Sequence, residues 1–350
     1  MSSRNAAGAQ AMFRHPPPLS RAGAPPMFPY PPPPPPLPHG AVPFVPPVGR
    51  FPPPPPRGAV PYYGGAVRPL PPAAAMNVEM RSVTAANFAS ELDLIGSLLP
   101  AFPIIVVDTE YPGAVHRPAA GKRESQLTAD ERYALVKANV DELPIVQLGI
   151  TICDAQGNLP RGVDLAGRPV ELAWEVNFSD FDVRRDRHVP ESAAFLRSQG
   201  IDFDLARAHG VASAAFKDKL LAVLPAPARR EALTWAAFGG AYDLAYLVKM
   251  LADGQPLPET REAFMAQVRE LLGGRVFDAK HMAENCGRGD LRGVGLRGVA
   301  ANLGVPRHFP EPPCLAGPKS LTACRIYTLL RRNVLSADGG ASHEGLIDGL

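Results

Sequence analysis

Short apolar runs separated by polar turns recur along most of the chain and predict alternating strands and helices. Residues 104–107 form a continuous apolar run of strand length, which is typical of a strand buried on both faces. Residues 171–178 instead alternate apolar and polar positions around Trp174 and Val176, as a half-buried strand does. Residues 84–99 repeat apolar side chains at helical spacing. This succession predicts an α/β domain in which helices flank a mixed sheet.

The same patterns predict the remaining elements. Further strands are expected at residues 145–153, 233–238 and 276–277. Further helices are expected at residues 130–140, 191–199, 204–223, 242–251, 259–272, 295–303 and 318–332. Residues 113–130 are expected to form a polar loop.

Composition divides the chain into three parts. The chain has 42 prolines, and they crowd into its first fifth, where they can neither donate backbone hydrogen bonds nor bury much surface. We therefore predict a disordered or locally polyproline II arm over residues 1–78, which would serve as a spacer or dock on polyproline-binding domains. Residues 79–335 are long enough for one domain with a sizeable core. The polar, glycine-containing residues 336–350 are predicted to be a flexible tail.

Charge and cysteine usage narrow the class of protein. The formal net charge of +2 is too balanced to hold nucleic acid by overall charge, so RNA binding would need a local groove or bound metal ions. The four cysteines show no Cys-x-x-Cys spacing, which argues for reduced thiols rather than structural zinc. No apolar run approaches the ~18 residues that a membrane span requires. We expect a soluble intracellular protein. Arg184, Arg185 and Arg187 would either contact RNA phosphates or form a solvated loop.

The first candidate for chemistry is a pair of carboxylates at the end of the apolar strand. Asp108 and Glu110 are two residues apart, so strand alternation places them on the same face. Their mutual repulsion favours a cation between them, and oxygen ligands of this kind suit Mg²⁺ or Mn²⁺. The alternative is two solvated carboxylates in a turn.

Asp243 is the second candidate. It lies at the start of a predicted helix that follows a strand, the place where ligands gather in α/β sheets. A carboxylate there also gains from the helix dipole, so Asp243 could equally be an ordinary helix-start residue.

Several segments together resemble the Caf/Pop deadenylases, the nuclease subunits of the CCR–NOT complex. Residues 105–113, which read Ile-Val-Val-Asp-Thr-Glu-Tyr-Pro-Gly, resemble that family's first exonuclease motif. Residues 139–149 and 174–178 resemble two of its strands, 238–247 its Gly-Tyr-Asp-x-x-Tyr-Leu motif, and 276–280 its Tyr-Asp-Val-Lys strand. The resemblance covers about residues 80–332 in the family's order.

The resemblance implies a ribonuclease-H-like fold and removal of poly(A) from messenger RNA with Mg²⁺ or Mn²⁺. In such enzymes four carboxylates hold two divalent ions and a histidine helps to activate water. Asp108, Glu110 and Asp243 match three of those carboxylates, for both the catalytic and the metal-binding role. Asp278 matches an aspartate outside the catalytic set, and we expect it to be structural.

The last motif departs from the family. Where the family has His-Gln-Ala-Gly-Ser-Asp-Ser-Leu, residues 314–321 read Cys-Leu-Ala-Gly-Pro-Lys-Ser-Leu. The histidine is thus Cys314 and the fourth carboxylate is Lys319. Losing a general base costs about 10²–10⁴ in rate, and an ammonium in place of a carboxylate weakens metal binding. The site could then hold only one divalent ion instead of two.

The resemblance therefore implies a poly(A)-specific 3′-to-5′ exoribonuclease with impaired activity. Its expected partners are poly(A) RNA, the CCR–NOT scaffold and other deadenylase subunits, in the nucleus and cytoplasm, with no membrane. The alternative is a catalytically inactive homologue that acts as a scaffold or RNA-binding subunit, and Cys314 and Lys319 favour it.

Overall fold

The computed structural model describes residues 77–123, 126–306 and 315–350. Within these ranges the strands are β1 (Val78–Val83), β2 (Ile104–Glu110), β3 (Gln147–Cys153), β4 (Arg161–Val163), β5 (Pro169–Asn177), β6 (Thr234–Ala237) and β7 (Arg275–Asp278). The α-helices are α1 (Phe88–Leu98), α2 (Ala129–Glu142), α3 (Pro190–Ser198), α4 (Phe203–His209), α5 (Ser213–Val223), α6 (Ala241–Leu251), α7 (Arg261–Leu272), α8 (Ala279–Asn285), α9 (Leu296–Leu303) and α10 (Ala316–Leu329).

The seven described strands form one mixed sheet in the order β1-β5-β3-β2-β6-β7, with β4 added beside β5. The pairs β2–β3 and β3–β5 are antiparallel, whereas β2–β6, β6–β7 and β1–β5 are parallel. The mixed sheet flanked by helices that the sequence predicts is confirmed. Strand β2 lies at the centre of the sheet, and its seven residues are all buried.

The alternation of β2 divides the core into two layers. Ile105 and Val107 pack into the layer that contains α1, α2, α6 and α7. Ile104 and Val106 pack into the opposite layer, which contains α8, α9 and α10. Because successive side chains of a strand point to opposite faces, the polar residues that end β2 are divided between the same two layers.

Helix α10 lies unusually close to the sheet because of Gly149 on β3. A Cβ atom at this position would lie 1.9 Å from the carbonyl oxygen of Ala316, so only glycine allows the approach. Gly149 is also the register partner of Asp108 on β2. The start of α10 is therefore placed directly beside the end of β2.

Several sequence expectations need correction. The strand β1 begins at Val78, inside the segment assigned to the proline-rich arm; the rest of that arm lies outside the described residues. The helix expected at 204–223 is two helices, α4 and α5, which are separated at Gly210. Helix α8 was not expected; it begins directly after Asp278, which caps it.

The C-terminal segment also differs from the flexible tail that its composition suggests. Ile347 is buried in the core layer of α2 and α6, and His343 is buried against the ring of His281. The backbone N–H of Gly345 donates to the carbonyl of Val276 on β7. These contacts attach residues 336–350 to the end of the sheet, because two anchoring side chains outweigh a polar composition.

Candidate active site

The carboxyl end of β2 brings all three predicted site carboxylates together. Asp108 and Glu110 are 8% and 7% exposed, so the alternative of two solvated carboxylates in a turn is wrong. Both belong to the face of β2 that packs against α10. Asp243, in the first turn of α6, reaches the same strand end from the opposite layer and is 7% exposed.

Thr109 positions Asp243. Its backbone N–H donates to Oδ1 of Asp243 at 2.7 Å, and its hydroxyl donates to the same oxygen at 2.6 Å. Thr109 lies between the two carboxylates of β2 and therefore points to the other face, where α6 begins. Asp243 is thus more than a helix-start residue, because its carboxylate is hydrogen bonded to the strand that carries Asp108 and Glu110.

Lys319 occupies the space between the two β2 carboxylates. Its Nζ lies 2.9 Å from Oδ2 of Asp108 and 2.9 Å from Oε1 of Glu110. Burial alone would lower the pKa of Lys319, but the charges of the two carboxylates outweigh it and raise that pKa. Lys319 is therefore a cation at any physiological pH.

Burial is the main influence on the pKa values of the three carboxyl groups of the site. Burial raises the pKa of Glu110 to about 7, with Lys319 opposing the shift and the charge of Asp108 adding to it. Burial also raises the pKa of Asp108, against the effect of Lys319. The pKa of Asp243 is raised well above its usual range, again by burial and by the charge of Asp108. The site holds more carboxylate than one ammonium neutralises.

Glu175 on β5 is a further acidic residue of this site that the sequence did not single out. Burial raises its pKa, and its charge contributes to raising the pKa of Glu110. Its Oε2 accepts the backbone N–H of Gly317 at 3.3 Å, and Gln147 donates to its Oε1 at 3.2 Å. Period-2 alternation along β5 was the available signal, since it places Glu175 and Asn177 on one face.

A divalent ion does not fit between Asp108 and Glu110 while Lys319 is there. Mg²⁺ would need their oxygens at about 2.0–2.1 Å, and the ammonium already contacts one oxygen of each. Among the described residues, no group of three or more His, Cys, Asp or Glu side chains is arranged to hold a metal ion. The residues that would supply oxygen ligands after displacement of Lys319 are Asp108, Glu110 and Asp243.

The other residues singled out from the sequence have three different outcomes. Asp278 is structural as expected, because it accepts backbone N–H groups and does not contact Lys319 or the carboxylates that Lys319 pairs with. Cys314 lies outside the described residues, so its position beside Lys319 stays a prediction. Arg184 and Arg187 pair with Asp204 and Glu142, an arrangement that favours a solvated loop.

Comparison with known proteins identifies the family. The CAF1 family ribonuclease profile matches residues 83–222. The chain is 34% identical over 232 residues to the Arabidopsis thaliana protein named probable CCR4-associated factor 1 homolog 7, covering 66% of this chain and 79% of that one. It is 32% identical over 253 residues to the poly(A) ribonuclease pop2 of Schizosaccharomyces pombe, covering 72% of this chain and 69% of that one.

Solved structures agree. The S. pombe Pop2p structure with Mg²⁺ and Mn²⁺ bound matches with a TM-score of 0.65 and 29% identity, over 77% of this chain and 99% of that one. A yeast CAF1 co-crystallised with the NOT1 MIF4G domain matches with a TM-score of 0.61 and 25% identity, over 79% and 99%. The protein has a ribonuclease-H-like fold and belongs to the CAF1 family of ribonucleases. The resemblance read from the sequence is confirmed.

No helix in the described part of the chain is both long and apolar enough to cross a bilayer.

Proposed function

We propose that this chain is a poly(A)-directed 3′-to-5′ exoribonuclease subunit of a CCR4–NOT-type assembly, with turnover strongly reduced by Lys319. The observation that supports it is the assembly of Asp108, Glu110 and Asp243 at one strand end within a CAF1-family domain. A relative named poly(A) ribonuclease and a structural neighbour that binds Mg²⁺ and Mn²⁺ support the substrate and the type of cofactor. The substrate would be the poly(A) tail of messenger RNA, and the protein would act in the nucleus and cytoplasm.

The reduction in turnover follows from what an ammonium can and cannot do. Divalent ions at such a site would lower the pKa of a bound water and stabilise charge on the phosphodiester. Lys319 balances charge at Asp108 and Glu110, but it offers no position for an ionisable water. The protein also lacks the family histidine if Cys314 lies where its register predicts.

Partner binding is a separate part of the proposal. A structural neighbour of this chain was crystallised with a NOT1 MIF4G domain. We expect this chain to bind the same kind of scaffold domain, and through it other deadenylase subunits. Co-elution of the purified chain with a MIF4G domain in size-exclusion chromatography tests this, and separate elution at micromolar concentrations would contradict it.

The second candidate function is a non-catalytic subunit that keeps the scaffold contact and RNA affinity. The contact of Lys319 with both β2 carboxylates favours it, because that contact blocks the one place where these two side chains would share a divalent ion. The two candidates predict different residual activity, so one assay separates them.

The assay follows 3′ shortening of a labelled oligo(A), with oligo(U) as the specificity control, in the presence of Mg²⁺ or Mn²⁺. If the chain is an impaired enzyme, wild type should show slow metal-dependent shortening that Asp108→Ala abolishes. Asp93→Ala, at an exposed carboxylate, should leave it unchanged. No Asp108-dependent shortening would leave only the non-catalytic function.

A variant that restores the two missing family residues tests the same proposal in the oligo(A) assay. The double change Lys319→Asp with Cys314→His puts back the two family groups and should increase the rate by about 10²-fold or more. Gly149 and Ala316 hold the start of α10 against β3, so the new carboxylate should enter the same space. A double variant as slow as wild type would mean that these two positions are not what limits turnover.

A further inference from the structure

Four carboxyl groups gather around the end of β2. Asp108 and Glu110 are buried on one face of the strand, Asp243 is hydrogen bonded to Thr109 between them, and Glu175 accepts the N–H of Gly317 at the start of α10. Buried carboxylates that lack a cation are strongly destabilising. A cation that pairs with the ionised forms of Asp108 and Glu110 therefore stabilises the folded state of this site.

Lys319 has the geometry of that cation. It contacts one oxygen of each β2 carboxylate at the same distance, 2.9 Å, and only 23% of its side chain is exposed. An ammonium that lies symmetrically between two acids shares its charge between both, as an ion bridging them would.

The backbone that carries Lys319 is held against the sheet. The closest approach is between the Ala316 carbonyl and Gly149, where no side chain fits. Ser320 adds a hydroxyl contact of 2.9 Å with Thr151 on β3. Lys319 lies between these two anchored residues, so its backbone is held against β3 on both sides.

The first turn of α10 is also tied to β5. The N-cap residue Leu315 supplies no side-chain hydrogen bond to the helix, and Glu175 instead accepts the N–H of Gly317. A carboxylate at a helix start is favourable because it meets unsatisfied N–H groups and the positive end of the dipole. Glu175 is thus a positioning residue that holds the turn from which Lys319 extends.

A divalent ion must compete with this tethered ammonium for the same two carboxylates. A group attached to the protein acts at an effective concentration in the millimolar range or above, and Lys319 never leaves by dilution. Binding of an ion at Asp108 and Glu110 would require Lys319 to turn out toward solvent. The ammonium of Lys319 would then lie near the bound ion and repel it.

We propose that Lys319 is a tethered counter-ion that has replaced the divalent cation of this site, so that the folded state is independent of metal and metal binding at Asp108 and Glu110 is suppressed. This deepens the proposed function, because it names what limits turnover at the same site. Its test contains no RNA, so the two proposals can fail separately.

The first measurement is Mn²⁺ binding to the full chain, followed by the electron paramagnetic resonance signal of free Mn²⁺. Lys319→Met should bind Mn²⁺ about tenfold or more tightly than wild type, because the competing charge is gone. Adding Asp108→Asn to that variant should remove the gain. Lys217→Met is the matched control, since Lys217 also contacts two carboxylates, Asp218 and Asp253, but these are 73% and 72% exposed.

The second measurement is thermal unfolding with EDTA or with Mn²⁺. Wild type should melt at the same temperature in both, whereas Lys319→Met should melt lower in EDTA and recover with Mn²⁺. Lys217→Met should behave like wild type in both conditions.

Two results would overturn the proposal. One is Mn²⁺ binding to wild type that matches Lys319→Met in affinity and is lost in Asp108→Asn. The other is a melting temperature of Lys319→Met that equals wild type in EDTA. If Lys319→Met does not fold in either condition, wild type and Asp108→Asn decide: Asp108-dependent binding that saturates at micromolar Mn²⁺ overturns the proposal, and its absence at that concentration supports it.

Discussion

Two buried aspartates at the same edge of the sheet are stabilised by different kinds of partner. Asp278, at the end of β7, accepts the backbone N–H groups of Gly239, Gly240 and Lys280 at 2.8–2.9 Å, and that of Asp348 at 3.0 Å. Asp108, near the end of β2, instead relies on the side chain of Lys319.

The difference separates a structural carboxylate from a functional one. The oxygens of Asp278 are already satisfied by backbone donors, so a cation would gain little there. Asp108 instead has one oxygen, Oδ2, paired with a side-chain ammonium that another cation could replace. Both positions hold a buried aspartate, 0% exposed at Asp278 and 8% at Asp108, and their partners distinguish the two roles.

The largest expected effect comes from removing the backbone-bound aspartate. Asp278→Ala leaves one buried and several partly buried N–H groups without acceptors, and a fully buried one costs about 1–3 kcal/mol. We expect a loss of at least about 3 kcal/mol in the free energy of unfolding, measured by urea denaturation. Asp154→Ala is the control, because Asp154 also accepts backbone N–H groups but lies in an exposed turn where water can replace it. Equal losses in the two variants would contradict the comparison.

The second prediction concerns the close packing of α10 on β3, which positions Lys319 beside Asp108. Gly149→Ala places a Cβ against the Ala316 carbonyl and must push the start of α10 away from β3. We expect a loss of about 1–3 kcal/mol from overpacking, together with a weaker contact between Lys319 and Asp108. Gly162→Ala, on β4, is the control, since its Cβ would meet only side-chain atoms at 3.1 Å or more. A Gly149→Ala protein as stable as Gly162→Ala would mean that α10 does not lie this close.

Much of this fold could be predicted because its central strand has a clear pattern. The apolar run before Asp108 predicted β2, and alternation correctly placed Asp108 and Glu110 on one face. The same rule implies that Thr109 faces the other layer, yet its hydrogen bonds to Asp243 depend on how α6 packs across 134 residues of sequence. Local periodicity carries no information about such a distant contact.

The missed elements have physical reasons too. Strand β1 adjoins the proline-rich segment and has only half-buried residues over most of its length, so its pattern is weak. Residues 336–350 look flexible by composition, but His343 and Ile347 anchor them. The register of the last motif predicted that Lys319 would replace a carboxylate. That its Nζ contacts two others depends on the close packing at Gly149, which only the tertiary structure shows.

The third prediction measures how strongly Asp108 and Lys319 depend on each other. A double-mutant cycle with Asp108→Asn and Lys319→Met should give a coupling free energy of about 1–2 kcal/mol, because residues in one ion-pair network are not additive. Removing both charges should therefore cost less than the sum of the single changes. Urea denaturation in EDTA supplies the four free energies. Additive effects would show that the 2.9 Å contact contributes nothing to stability.

The smallest expected effect concerns the segment that covers Asp278. Burial of His343, with the charge of His281 adding, lowers the pKa of His343 in the folded protein. The folded state therefore binds fewer protons than the unfolded chain near the usual histidine pKa of about 6.5. Stability from this group is complete above that pH and is lost as the pH falls below it. Wild type should lose more stability than His343→Phe between about pH 7.5 and 5.5, measured by urea denaturation.

Hydrogen exchange locates the same effect in the structure. Acid should lower the protection factor first at Gly345 and Asp348, whose N–H groups donate to Val276 and Asp278, because a charged His343 favours leaving its buried position. Protection factors along β2 should not fall over the same range, since Lys319 and not this segment holds Asp108. Parallel stability curves for wild type and His343→Phe would mean that His343 is not held in its neutral form. A protection factor that falls in β2 before it falls at Asp348 would mean that acid opens the Lys319 site before the segment bound to Asp278.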